Sequence, residues 1–202
     1  LNDEILMAVS SAGPGTGAGV AASAITLIGI MDQQYNVLIP YYWGGGQGAS
    51  AAHNYKPWNY YGANKYWGEH NCTYANNKSY CYLGLDCAGF VTWAIHNGGV
   101  NIHDTQTFYT KGKGVSVYKG EQASPGDILK HPGHIMLVLS YDKKSQKYKV
   151  AQAAGHGKGV KINDITVSYL SGADYKLYLM GDAYKKNAVK NYEEKFQEKR
   201  MD

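Results

Sequence analysis

Apolar residues fall in a few well-separated runs, and their spacing predicts most of the elements. Val20 to Met31 is apolar for twelve residues and stops at Asp32. The run is too short to cross a bilayer and is interrupted by Gly and Ser, so it predicts a buried helix. Phe90, Val91, Ala94 and Ile95 fall on one face at helical spacing. Asp86 stands where an N-cap belongs and Asn97-Gly98-Gly99 ends the run, which predicts a second helix beginning at Cys87. The period then changes. Asp127 to Lys130 reads as a short strand. His134 to Tyr141 is so nearly continuous in apolar residues that it predicts a strand buried on both faces. Asp142 to Ser145 is a turn, Tyr148 to Ala154 returns as a hairpin partner, and Val160 to Ile162 is a further short strand. Helices first and strands after them predict an α+β fold, with N-terminal helices packed on a central antiparallel β-sheet.

The flanks and one internal stretch carry weaker patterns. Residues 1–19 are short apolar pieces broken by Gly13-Pro14-Gly15-Thr16-Gly17-Ala18-Gly19, read as a linker or N-terminal extension. That glycine run lacks the Lys-Ser/Thr of a phosphate loop, which excludes a nucleotide role for it. Residues 47–83 form a long insertion rich in Tyr and Trp with little periodicity, and loops of this length are usually functional or stapled. Residues 100–122 are Gly- and Lys-rich. The tail, 183–202, is charged, with Val189, Tyr192 and Phe196 at helical spacing, and predicts a loosely packed helix. One domain over residues 20–182 is expected, since 202 residues bury one good core.

Composition adds two points. There are 19 Tyr against 3 Phe, and Tyr offers a flat apolar face with a polar tip, suited to surfaces that bind sugars and peptides. The net charge is +4, yet of the 20 basic residues only Arg200 is arginine. Nucleic-acid binders lean on Arg for bidentate contacts, so no nucleic acid is expected as a partner. A mildly cationic, Lys-rich surface suits a polyanionic cell wall.

The three cysteines divide by position. Cys72 and Cys81 lie in the insertion, where a disulfide would staple the loop and fit an exported protein, leaving Cys87 as the free thiol. A zinc site with His70 is the alternative, but the close Cys-x-x-Cys spacing is absent and no metal is expected. Cys87 falls in the first turn of its helix. Unpaired N–H groups and a partial positive charge there favour a thiolate, the nucleophilic form, although a buried core cysteine has the same pattern. Of the seven histidines, His134 is singled out by its place after Gly133 at the mouth of the most apolar strand. His131 reads as a surface residue. A thiolate and a histidine that trades protons with it make a nucleophilic pair, which needs a third group to hold the ring.

Gly84-Leu85-Asp86-Cys87-Ala88-Gly89-Phe90, then Gly126-Asp127, then Gly133-His134 opening an apolar strand, resemble the NlpC/P60 family of cell-wall peptidases. Pro40-Tyr41-Tyr42-Trp43-Gly44-Gly45 matches that family's entry motif, so the resemblance covers roughly residues 20 to 165. It implies a circularly rearranged papain-like fold, Cys87 as nucleophile, His134 as its proton partner and no cofactor. The implied substrates are peptidoglycan stem peptides, cut at the bond between D-glutamate and the third-position diamino acid. A secreted or cell-wall-associated bacterial protein follows, expected to be a monomer with no membrane insertion. By the same resemblance Tyr41 faces the cysteine and, with Trp43, contacts substrate, while Asp86 meets the free amine of a short stem peptide. Many members carry a second His as the third group. Here Gln152 occupies that place in Val150-Ala151-Gln152-Ala153, and its amide oxygen can accept the His N–H. His156, in a Gly-flanked loop, is the rival. An amidase of the related CHAP type and an inactive Tyr-rich wall-binding module are the competing readings.

Overall fold

The computed structural model describes residues 1–34, 38–41, 59–63, 74–75, 78–79, 84–155 and 157–201. Its first two helices are α1 (Asn2–Ala12) and α2 (Gly17–Gln33). The linker expected over residues 1–19 is corrected here. Ile5 and Val9, one helical turn apart, are buried in the main core, so α1 is a packed element. The glycine run is a tight turn between helices. Gly13 ends α1 with φ of 109°, and Thr16 caps α2 by accepting the Gly19 N–H at 3.1 Å. From residues 74–79 come two short paired strands, β1 (Tyr74–Ala75) and β2 (Lys78–Ser79).

Helix α3 (Cys87–Asn97) starts where Asp86 accepts the Gly89 N–H at 2.6 Å and ends at Gly98. It lies against α2: Ser23 donates to the Ala94 carbonyl at 2.9 Å. A Cβ on Gly98 would stand 2.5 Å from the Val20 Cα, so only glycine lets the two helices approach this closely. A short helix, α4 (Thr105–Phe108), leads into the sheet.

Six strands make one antiparallel sheet: β3 (Lys113–Ser116), β4 (Ile128–His131), β5 (His134–Asp142), β6 (Lys147–Ala153), β7 (Val160–Thr166) and β8 (Lys176–Leu179). Their order is β3-β8-β4-β5-β6-β7. The fold is thus α+β, as the change of period predicts. Strand β5 is covered on both sides. Ile135, Leu137 and Leu139 join the core shared with α1, α2 and α3, while Met136 and Val138 join a second cluster. That second cluster includes Val167 and Leu170 of α5 (Val167–Gly172), which explains the unbroken apolar run. Asp127 ties the sheet together, accepting from the Ser124 N–H at 2.7 Å and the Met180 N–H at 2.8 Å. The Gly126-Asp127 pair therefore has a structural task at the entry to β4.

The tail forms α6 (Gly181–Lys186) and α7 (Tyr192–Lys199). Its packing is not loose. Phe196 is fully buried, the Tyr192 hydroxyl donates to the Asn97 carbonyl at the end of α3, and Tyr61 stacks on His96 at 4.2 Å. Arg200 closes the circuit by pairing with Asp3 of α1 at 2.6 Å. Among the described residues no helix is long and apolar enough to cross a membrane.

Candidate active site

The start of α3 meets the start of β5. Cys87 presents its sulfur to the backbone N–H of Ile135, the residue after His134, and to the Tyr41 hydroxyl. Tyr41 is held there by backbone pairing: it bridges to Leu85, whose N–H donates to the Pro40 carbonyl at 3.1 Å. The same hydroxyl faces the backbone N–H of Cys87. So the N–H of Cys87, a phenol and a thiol converge on one point beside the strand that carries His134.

His134 is fixed from its far side. Its Nε2 lies 2.7 Å from Gln152 Oε1, and Gln152 Nε2 donates to Asn163 Oδ1 at 2.8 Å. The second bond turns the amide so that its oxygen faces the ring. An oxygen there accepts a proton from Nε2, which leaves Nδ1 with its lone pair. The register of the sheet makes this possible. Val150 pairs with Asn163 and Gln152 with Lys161, so alternate residues of β6 and β7 share one face with His134 and Met136.

Burial and local charge set the resting state of the pair. The Cys87 thiol is pushed up, first by burial and then by the Asp86 carboxylate, against the pull of the Ile135 and Ala88 N–H groups and Tyr41. His134 is pushed down, first by burial and further by His131 and Lys130, while the Gln152 hydrogen bond works the other way. Each shift disfavours the charged form of its own group. Burial and the Asp86 carboxylate thus oppose the thiolate that the helix end favours. Burial, then Cys87 and Asp86, also raises Tyr41, so its hydroxyl stays protonated and can donate.

Asp86 is 4% exposed, and its Oδ1 is the cap of α3. Trp43, His70, Cys72, Cys81 and His156 lie outside the described residues. His131 is not simply a surface residue. It is the register partner of His134 across the Pro132-Gly133 turn, and its ring meets Tyr175 edge-on at 4.3 Å. The signal was present in the spacing, since a two-residue turn puts its flanking residues opposite each other. Asn163, Tyr175 and Lys161 join the site only through the sheet order, and nothing local in the sequence marks them.

A cleft of about 700 Å³ opens beside His134. Tyr41, His134, Gln152, Lys158, Lys161 and Tyr175 are among the residues that line it. Among the described residues no group of His, Cys, Asp and Glu is placed to hold a metal ion. The arrangement offers a thiol at Cys87, a phenol at Tyr41 and an imidazole at His134 whose Nε2 is held by Gln152. Comparisons with protein-family models, with curated proteins and with solved structures find no match to this chain.

Proposed function

We propose that this chain is a peptidoglycan hydrolase, a cysteine endopeptidase of NlpC/P60 type that cuts stem peptides between D-glutamate and the diamino acid. The observation that carries the reading is the hydrogen bond from His134 to Gln152, on the strand whose next N–H faces Cys87. That bond holds the ring in the tautomer whose Nδ1 keeps its lone pair, one residue before the strand N–H that faces Cys87.

In this mechanism Cys87 Sγ attacks the scissile carbonyl carbon as His134 Nδ1 takes the thiol proton. Burial disfavours charge on both groups, so proton transfer accompanies attack. The new oxyanion accepts from the Cys87 N–H and the Tyr41 hydroxyl. His134 returns the proton to the leaving amine, and the C–N bond breaks to give a thioester. Water, deprotonated by His134, then releases the acid and restores the thiol. Gln152 holds the ring through both transfers. Asp86 and Trp43 contact the substrate, with the amine of a short stem peptide directed to Asp86.

The test is mass spectrometry of fragments released from purified peptidoglycan. A new amine on the diamino acid and a new carboxyl on D-glutamate are expected. Separation of glycan from intact stem peptide would instead make the enzyme an amidase.

A further inference from the structure

The cleft is not neutral beyond the reacting groups. Lys161 is half-buried on β7, in register with Gln152, and therefore on the face of the sheet that carries His134. Lys158 stands on the loop that leads into β7 and lines the same cleft. Neither ammonium has an ion-pair partner among the described residues. Among the described residues that line this cleft the carboxylate is Asp164, the next residue after Asn163, which alternates to the other side of the strand, where Lys149 is its register partner. A half-buried lysine with no counter-ion among the described residues, two strands from His134 and beside Gln152, leaves a place for an anion on the ligand.

We infer that Lys161 and Lys158 form a subsite for a free carboxylate of the peptide, placed next to the scissile bond. This rests on the peptidase reading, and it adds what that reading leaves open: the enzyme discriminates between a stem peptide whose glutamyl carboxylate is free and one in which it is amidated. Lys161 supplies the hydrogen-bonded charge. Lys158, exposed on its loop, adds attraction at longer range, which salt will screen.

The experiment measures binding, separately from turnover. Calorimetric titration of the Cys87→Ala protein uses two probes: an alanyl-D-glutamyl-lysine peptide, and the same peptide with its free glutamyl carboxylate converted to the amide. The carboxylate form should bind about tenfold more tightly, as a charge-assisted hydrogen bond would give. Cys87→Ala/Lys161→Met should bind the two alike, and Lys158→Met should lower the preference less and mainly at low salt. Equal binding of the two peptides, or a preference that survives Lys161→Met, overturns the subsite. Failure of the peptidase reading is seen elsewhere, as wild-type protein that releases nothing from peptidoglycan, so the two failures are distinguishable.

Discussion

Gln152 makes two hydrogen bonds, and each has a different consequence. The bond to Asn163 Oδ1 orients the amide, and the bond to His134 Nε2 selects the tautomer that can accept the thiol proton. A neutral hydrogen bond of this kind contributes about 0.5–1.5 kcal/mol. Gln152→Ala should therefore lower turnover roughly two- to tenfold while leaving a folded protein. Gln152→His should keep most of the activity, since a ring nitrogen can accept the same proton. Turnover of a stem peptide by both variants, with circular dichroism as the control, decides it. Wild-type turnover by Gln152→Ala would remove Gln152 from any role in holding the ring. Gln152 stood out in the sequence through the resemblance, because Val150-Ala151-Gln152-Ala153 matches the segment where many family members carry a second His. Asn163 did not, because its place depends on how β7 pairs with β6.

At the scale of elements, legibility follows burial. Helix α3 and strand β5 announce themselves because one buries a stripe and the other both faces. Strands β3 and β8 do not. Each is four residues long, and in β3 only Val115 is buried between Lys113, Gly114 and Ser116, so no alternation develops. Helix α1 was hidden by the glycine turn that follows it. The end of α3 carries a further consequence. His96 is buried against Tyr61, and burial pushes its pKa down to about 3 from 6.5. A folded pKa below the unfolded one means that the unfolded chain binds a proton first. The stabilisation is present above pH 6.5 and is lost as pH falls toward 3. His96→Phe keeps the stacking and removes the titration. The wild-type urea midpoint should fall more steeply than that of the variant across this window, and parallel curves would show that His96 does not couple folding to pH.

Over the whole molecule, the sheet carries the histidine, the helix layer carries the cysteine, and both termini hold the layers together. The Tyr61, Tyr192 and Phe196 cluster fastens the tail to α3, and Arg200 fastens it to α1. Cys87 thus sits on an element braced from both ends of the chain. The most direct test of the central claim is release of free amines from purified peptidoglycan by wild type, Cys87→Ala and His134→Ala, each checked for folding. The account predicts release by wild type, none by Cys87→Ala, and a loss of about 10²- to 10⁴-fold for His134→Ala. Release that persists in Cys87→Ala, or no release by the wild type, would contradict it.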